Sequence, residues 1–410
     1  MGGVIRRAFP EKLPSRVGIA VSGGGDSVAL LHVLAGLTRD AGTELHAATV
    51  DHGLRPEAAG EAAFVAKLSR DLGVAHDILR WQGWDGAGNL QAEARAARYR
   101  LLTDWARGKG IAVLALGHTA DDQAETVLMR LARAGGVNGL SGIPARRMQD
   151  GITLLRPCLG LMRAELRDYL RAQGVAWIED PSNEDARFER VRARATLAAL
   201  HPLGIEAATL AEVARNMSEA REALDWYTFL AARDMVQIDG GDVLIDRRQF
   251  RTLPGEIARR LLGHALLWIG GGVFSPRGPA MRDALEAART ARVTTLNGCV
   301  LLHHAGLIWI TREVSAVIGL AAPASGAWDD RWQALGDVAG DLEIRALGEE
   351  GLRQYRTWRD TGRPRRALLG APALWRGADV VSAPLAGLTG PGDLELVEGA
   401  ESFFASILSH

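Results

Sequence analysis

Residues 17–31 have the sequence Val-Gly-Ile-Ala-Val-Ser-Gly-Gly-Gly-Asp-Ser-Val-Ala-Leu-Leu. The small and β-branched apolar residues at its start predict a buried parallel strand. Three consecutive glycines follow, and Val28, Leu31 and Leu34 then recur at helical spacing. Glycines let backbone amides approach an anion closely, and the positive end of the next helix points to the same place. The stretch therefore predicts a strand, a glycine loop and a helix around a phosphate site.

The polar side chains of this loop indicate which type of phosphate-binding loop it is. Ser22 and Ser27 add hydroxyl donors. Asp26 would repel phosphate unless a cation lies between them, so we assign it to Mg²⁺ or to a proton. The loop lacks the Gly-Lys-Ser/Thr of a Walker A motif and the spacing of a GxGxxG motif. Its Ser-Gly-Gly-x-Asp-Ser pattern resembles the PP-loop of ATP pyrophosphatases; the alternative is a glycine-rich turn between a strand and a helix.

Composition and charge are those of an ordinary globular chain. The 410 residues are 47% hydrophobic and 24% charged, with a formal net charge of −1. The length predicts two or three domains, and the charge gives no global nucleic-acid signature. Cys158 and Cys299 have no CxxC spacing, so we expect no disulfide framework, no zinc site and a cytoplasmic location. We also expect no signal peptide and no membrane-spanning segment.

Strands alternate with helices over the first 200 residues, which predicts an α/β fold with a doubly wound parallel sheet. Further strands are predicted at 45–50, 74–79 and 111–116, and helices at 64–72, 90–105 and 124–131. Ligands of such sheets bind beyond the carboxyl ends of the strands. Ser22, Asp51 and His118 each follow a strand, so we expect them to line one crevice.

Three domains are expected from changes of pattern along the chain. A catalytic domain is predicted at 1–205. A mostly helical second domain follows at 206–320, with a hairpin turn at Asp239–Asp242 and a β-like stretch at its end. The remaining residues, 321–410, are rich in Gly, Pro and Trp and predict a small C-terminal domain.

A second polar motif follows the strand that ends near residue 116. His118 lies in the loop, and Asp122 and Glu125 are three residues apart, so they share one face of a helix. The alternative is structural: Thr119 and Asp122 form a capping box, and Glu125 is favoured by the helix dipole. Its place beside the glycine loop favours a functional site.

Arginines cluster after the Asp180-Pro-Ser-Asn183 turn. On a helix Arg187, Arg190 and Arg194 would share one face, and phosphates are the natural anions to meet them. The alternative is that acidic neighbours in the sequence neutralise this face. These neighbours are Glu184, Asp185 and Glu189.

Several motifs in one order resemble those of the tRNA(Ile)-lysidine synthetases, over roughly residues 15–200. They are Ser22–Ser27, Asp51–Arg55, Arg95 and Arg98-Tyr99, Gly117–Thr126, Gly139-Leu140, Arg156-Pro157, and Asp180–Asn183 with Arg190 and Arg194. The chain departs from the family pattern at Arg133-Ala-Gly-Gly136 and at Arg190-Val191, where the family commonly has Arg-Asn. The second departure removes an amide near the expected RNA site.

The resemblance implies an ATP-dependent ligase that uses Mg²⁺ and joins free L-lysine to the wobble cytidine of tRNA(Ile) with a CAU anticodon. The cytidine is first adenylated at O2, and the lysine ε-amine then attacks carbon 2 and expels AMP. Both later domains would contact tRNA. No membrane partner is implied, and a homodimer is compatible with the resemblance.

The resemblance also implies roles for individual residues. Asp26, His118 and Arg190 would be catalytic, and Asp26 would also hold the metal. Lysine would be held by Arg98 at its carboxylate and by Asp122 and Glu125 at its amines. ATP and its pyrophosphate would be held by Ser22, Gly23, Gly24, Gly25, Asp26, Ser27, Asp51 and His52, and tRNA by Arg187, Arg190 and Arg194.

Two other functions stay open. Another PP-loop enzyme that adenylates tRNA is one, although thiolases need catalytic cysteines and amidotransferases need a glutaminase domain that this chain lacks. The other is an inactive, ATP-gated RNA-binding protein, which only Val191 favours.

Overall fold

The computed structural model describes residues 1–53, 58–81, 90–179, 187–272, 275–336 and 338–408. They form two compact units, Met1–Arg221 and Glu222–Ser409. The division into domains at 1–205, 206–320 and 321–410 stays a prediction.

The first unit is an α/β structure. Its elements are α1 Gly2–Ala8, β1 Arg16–Ala20, α2 Gly25–Ala41, β2 Glu44–Asp51, α3 Ala58–Asp71, β3 Ala75–Arg80, α4 Leu90–Gly108, β4 Val113–Leu116, α5 Ala120–Leu131, α6 Val137–Leu140, β5 Arg146–Gln149, β6 Ile152–Leu155, α7 Arg163–Gln173 and α8 Glu189–Leu200. The sheet order is β3-β2-β1-β4-β6-β5. All neighbouring strands are parallel except β5, which pairs antiparallel with β6 at one edge. The predicted parallel sheet is thus confirmed, and the β5–β6 hairpin is an addition that the sequence patterns did not indicate.

Alternate residues of β1 pack on opposite faces of this sheet, because successive strand side chains point to opposite sides. Val17 and Ile19 are buried in a cluster with residues of α2 and α7. Ala20 belongs to a second cluster, with residues of α4 and β4. Helices therefore cover both faces, and the carboxyl ends of the strands remain as the place where a ligand can bind.

The second unit is mixed. A long helix, α9 (Ala207–Met235), begins in the first unit and ends in the second. The other elements are β7 Val236–Asp239, β8 Asp242–Asp246, α10 Arg247–Thr252, α11 Gly255–Gly270, α12 Gly278–Thr290, β9 Thr294–Leu296, β10 Cys299–His304, β11 Leu307–Arg312, α13 Val314–Val317, β12 Ala321–Pro323, β13 Trp332–Leu335, β14 Glu343–Ala346, α14 Gly348–Gln354, α15 Arg365–Leu369, β15 Pro372–Arg376, β16 Asp379–Ser382, β17 Asp393–Leu396 and α16 Glu401–Leu408. The sheets are ordered β7-β8-β11-β10-β9, β12-β14-β15-β16 and β13-β17. Asp239 pairs with Asp242, which confirms the predicted hairpin.

Two arginines join the C-terminal part of the second unit to this hairpin. Arg363 pairs with Asp239 and, at 3.2 Å, with Asp242. Arg331 donates a hydrogen bond of 2.7 Å to the carbonyl oxygen of Gly241. Burial raises the pKa of Asp242 to about 7, and Arg363 opposes the rise. Residues beyond 321 therefore pack against β7 and β8 within one unit.

The two cysteines and the longest apolar helices bear on the expectations about disulfides and membranes. Cys158 and Cys299 are both buried and are not joined in a disulfide. Within the described ranges, no single helix is long and apolar enough to cross a membrane. One pair, Glu189–Leu203 with Ala207–Met235, meets the length and composition criteria together, with a bend of 97°.

Candidate active site

The glycine loop joins β1 to α2 and is held by the Ser27 hydroxyl. That hydroxyl donates to the Gly24 carbonyl oxygen at 2.9 Å and accepts from the Ser22 backbone amide at 3.2 Å. The two serine hydroxyl oxygens are 3.3 Å apart. Because a hydroxyl has one hydrogen to donate, Ser27 shapes the loop in this arrangement and Ser22 is the better placed of the two to reach a ligand.

Gly23 is required at its position for two physical reasons. Its φ is +89°, in the region that residues with a Cβ avoid. A Cβ there would also lie 2.8 Å from Cδ1 of Ile178, whose backbone amide donates to the Gly23 carbonyl oxygen at 2.9 Å. The loop is thus packed against the segment that follows α7.

We expect Gly23→Ala to lower the free energy of unfolding by about 1–3 kcal/mol, because backbone strain and the contact with Ile178 add. The matched control is Gly42→Ala, where φ is +66° but nothing lies within 4 Å of the added Cβ. That control should lose about 1 kcal/mol, the cost of the left-handed backbone alone. Urea denaturation measures both, and equal losses would show that the contact with Ile178 does not matter.

A second glycine brings β4 against the loop. A Cβ at Gly117 would lie 3.1 Å from the backbone nitrogen and Cα of Ser27. This close approach places His118 beside the glycine loop, as the sequence predicted. Burial, supported by the Arg156 guanidinium, lowers the pKa of His118 to about 3. The imidazole is therefore neutral at neutral pH and acts there as a hydrogen-bonding group rather than a cation.

Asp122 serves the helix cap and the cavity at once. Its Oδ2 accepts from the Thr119 backbone amide at 2.9 Å and from the Thr119 hydroxyl at 3.0 Å. The capping box that the structural alternative predicts is therefore present. Its Oδ1 accepts from Arg190 at 3.1 Å. Burial acts to raise the pKa of Asp122. The hydrogen bond from the Thr119 amide and the neighbouring arginines outweigh it, so the pKa of Asp122 lies below its usual range.

Glu125 lies on the same face of α5, and its side chain is only 1% exposed. Its Oε1 accepts from Nε of Arg194 at 2.5 Å. Within the described chain its buried Oε2 has no hydrogen-bond partner, although Nη1 of Arg190 lies 4.0 Å away. A protonated amine could replace these guanidiniums as the counter-ion of the buried carboxylate.

Arg163 is a central residue of the site that the sequence analysis missed. Its Nε lies 3.1 Å from Oδ2 of Asp26, and its Nη2 lies 3.6 Å from both Asp122 and Glu125. Its backbone amide donates to Asp121 at 2.8 Å. Arg163 is the first residue of α7, where the helix dipole disfavours a cation. An arginine at the first position of a predicted helix could have indicated this role from the sequence, because a cation at that position needs anions nearby.

The loop carboxylate Asp26 is largely buried beside this arginine. Burial raises the pKa of Asp26 above its ordinary value, and the Arg163 guanidinium opposes the rise. Its Oδ1 is buried and has no hydrogen-bond partner among the described residues. A hard oxygen atom is thus left without a donor next to the glycine loop.

The structure corrects one part of the arginine prediction. Helix α8 begins at Glu189 with Phe188 as its N-cap, so Arg187 precedes the helix and does not share its face. Arg190 and Arg194 do lie on α8, and the carboxylates that meet them are Asp122 and Glu125. The predicted neighbour Glu189 pairs instead with Arg133 at 2.5 Å. Residues 180–186, which include the predicted turn and two of the acidic neighbours, lie outside the described residues.

Most of these groups line one cavity of about 940 Å³ at the carboxyl ends of the strands, but Gly23 and Glu125 are not part of its described lining. Its described lining includes Ser22, Gly24, Gly25, Asp26, Ser27, His52, Arg98, His118, Asp122, Arg163, Arg190, Val191 and Arg194. Asp51 does not belong to this lining; its carboxylate accepts from the Gly53 backbone amide at 2.9 Å. The ring of His52 packs edge-on against Trp81. Residues 54 and 55 of the predicted motif lie outside the described chain.

A cavity at the ends of parallel strands, lined by residues of a Ser-Gly-Gly-Gly-Asp-Ser loop, is typical of a PP-loop domain. A family model described as a PP-loop domain matches residues 4–200. The chain is also 56% identical over 406 residues to the tRNA(Ile)-lysidine synthase of Ruegeria pomeroyi, with 99% of this chain and 97% of that protein covered. The chain therefore belongs to the tRNA(Ile)-lysidine synthase family.

Two further relatives carry the same name. The protein of Wolbachia pipientis wMel is 36% identical, with 78% of this chain and 76% of that protein covered. That of a Bradyrhizobium strain is 42% identical, with 65% and 78% covered. The resemblance found from the motifs is confirmed, and membership of this PP-loop family implies that the protein uses ATP.

Proposed function

We propose that this protein uses ATP to join free L-lysine to carbon 2 of the wobble cytidine of tRNA(Ile) with a CAU anticodon, releasing AMP and pyrophosphate. One observation carries the proposal beyond family membership. The carboxylate of Asp122 lines the same cavity as the PP-loop, and the buried carboxylate of Glu125 pairs with Arg194, which also lines it. Arg163 contacts both carboxylates and Asp26. A site for amines thus lies beside a site for phosphates, as a lysine-to-nucleotide ligase needs.

The first step activates the cytidine. ATP lies with its pyrophosphate on the loop of residues 22–27, where backbone amides and the N-terminus of α2 favour the negative charge. The cytidine O2 attacks the α-phosphorus, and pyrophosphate leaves. Arg190 is the cation proposed to stabilise the charge that develops on the α-phosphate. Adenylation is necessary because an amide-like oxygen is a poor leaving group.

The residues around Asp26 fit a magnesium ion. Its unpartnered, buried Oδ1 is a hard ligand of the kind that Mg²⁺ prefers. Among the described residues no group of three or more metal-ligating side chains is found, so the remaining ligands would come from ATP phosphates and water. When bound, the ion would neutralise phosphate charge. Asp26 would hold it near the loop.

The second step transfers lysine. Arg98 lines the cavity and has no carboxylate partner within the described part of the chain, so it can take the lysine carboxylate. Asp122 and Glu125 hold the amines. Attack on carbon 2 requires the neutral ε-amine, so the ammonium form that these carboxylates favour must first give up a proton to a base. The neutral His118 can hydrogen-bond to the reacting centre, and AMP leaves with the former O2.

We expect Arg98→Gln to raise the KM for lysine by at least about tenfold, because a charge-assisted contact to the lysine carboxylate is lost. The KM for ATP should change less than about threefold. Steady-state kinetics with each substrate varied in turn measures both. Arg100→Gln, an exposed arginine on the same helix, is the control. An equal rise in both KM values would place Arg98 at the nucleotide instead.

The remaining proposals concern tRNA binding, cellular location and oligomeric state. We propose that tRNA binds Arg187, Arg190 and Arg194 and extends over the second unit, including residues beyond 321. The proposed location is the cytoplasm, and a homodimer is a further proposal. Size-exclusion chromatography with light scattering tests the oligomer.

The function is tested by incubating the protein with tRNA(Ile) transcript, ATP and labelled lysine. Label should enter this tRNA and should be absent from a transcript whose wobble cytidine is replaced by uridine. Release of pyrophosphate without label transfer would favour another PP-loop enzyme that adenylates tRNA. Binding of tRNA and ATP with neither product would favour an inactive RNA-binding protein.

A further inference from the structure

Two arginines of α8 pair with the carboxylates that are proposed to hold the lysine amines. Arg190 donates to Asp122 at 3.1 Å, and Arg194 donates to Glu125 at 2.5 Å. The second oxygen of Asp122 is committed to the cap of α5. An ammonium group placed here must therefore compete with these guanidiniums for the same oxygen atoms.

The three guanidiniums differ in how firmly they are held. The Arg163 side chain is 19% exposed, contacts Asp26, and belongs to a residue whose backbone is bonded to Asp121. Those of Arg190 and Arg194 are 39% and 33% exposed and come from one short helix. Arg163 is thus the permanent counter-ion, and the two arginines of α8 can turn towards solvent without loss of backbone contacts.

We propose that lysine displaces Arg190 and Arg194 from Asp122 and Glu125, and that the displaced guanidiniums then bind tRNA phosphates, so that lysine and tRNA bind cooperatively. The inference rests on the proposed function, which places lysine on these carboxylates. Two guanidiniums one helical turn apart repel each other once their carboxylates are taken, and a polyanion relieves that repulsion. By linkage, tRNA must strengthen lysine binding by the same factor.

The wild-type protein provides the first test. The affinity for labelled tRNA(Ile) transcript is measured by fluorescence anisotropy without ATP, at several salt concentrations, with lysine or with equal norleucine, which lacks the ε-amine. Lysine should tighten binding by about five- to tenfold. It should also steepen the salt dependence by about one to two units, since each released arginine adds one phosphate contact. Equal affinities with lysine and norleucine would overturn the proposal.

Variants separate the exchange from a general charge effect. Glu125→Gln frees Arg194 but leaves Arg190 on Asp122, so it should bind tRNA without lysine more tightly than the wild type does, and its lysine-dependent increase in salt slope should fall by about one unit. The control is Asp104→Asn, which makes the same charge change where an exposed carboxylate pairs with Arg107 at 3.0 Å. Equal tightening by the control overturns the proposal.

A further variant covers the case in which Glu125→Gln fails to fold, which a thermal melt detects. Arg194→Gln leaves the buried carboxylate in place. It should lose about one unit of the lysine-dependent increase in salt slope. A full increase in this variant overturns the role of Arg194.

Labelled-lysine transfer by the same preparation distinguishes failure of the exchange from failure of the function. Transfer without any effect of lysine on tRNA affinity overturns the exchange and leaves the function standing. A lysine effect without transfer supports the exchange and counts against the ligase reaction. Absence of both overturns both.

Discussion

Replacing Asp26 by Asn is expected to slow Mg²⁺-dependent pyrophosphate release by at least about a hundredfold, the scale of a lost electrostatic contact in an active site. Asn keeps the size of the side chain and removes its charge. The buried Oδ1 of Asp26 has no donor among the described residues, so this oxygen is the one proposed to hold the metal. The variant should also need more Mg²⁺ for half-maximal rate, whereas a merely structural defect would not move that midpoint.

Two controls define this result. Asp40→Asn changes an exposed carboxylate at the other end of the same helix and should leave the rate unchanged. The double variant Asp26→Asn with Arg163→Gln tests whether an unpaired Arg163 causes the loss, because the two side chains are 3.1 Å apart. Recovery of the rate in the double variant, or a near-normal rate for Asp26→Asn alone, would refute the metal role.

Arg190→Ala is expected to lower kcat by roughly ten- to a thousandfold even when tRNA, ATP and lysine are saturating. A guanidinium that stabilises the developing phosphate charge acts in the transition state, so more substrate cannot compensate for its loss. Arg194→Ala, four residues further along α8, should instead weaken tRNA binding and flatten its salt dependence while kcat is largely kept. Rapid-quench measurement of the adenylation step gives the clearest comparison.

The conservative variant Arg190→Lys decides between charge and geometry. If charge alone matters, it should recover most of kcat; if the planar fork is needed, the recovery should be small. Full kcat in Arg190→Ala at saturating tRNA would show that this arginine only binds. In that case its contact with Asp122 is its main role.

The loop at residues 22–27 and the strand ends were predictable from sequence because their signals are local. The glycines, the apolar start of β1 and the helical spacing that follows span only about fifteen residues, and each excludes most alternatives by backbone conformation alone. The same holds for the capping box of Thr119 and Asp122, which forms within one helical turn. The order of alternating elements then implied that Ser22 and His118 share an edge of the sheet.

Which charges meet in the site was decided by tertiary structure. Arg190 and Asp122 are 68 residues apart, and Arg163 and Asp26 are 137 apart. Nothing in the spacing of either pair indicates a contact, since long polar side chains can choose any partner that the fold brings within reach. The start of α8 was likewise misplaced, so Arg187 was assigned to a helix face that it does not share. Local patterns thus determined the secondary-structure elements and the chemistry of the loop. The tertiary structure determined which arginines pair with the buried carboxylates, because a buried carboxylate is costly without a counter-ion and the fold decides which cations come within reach.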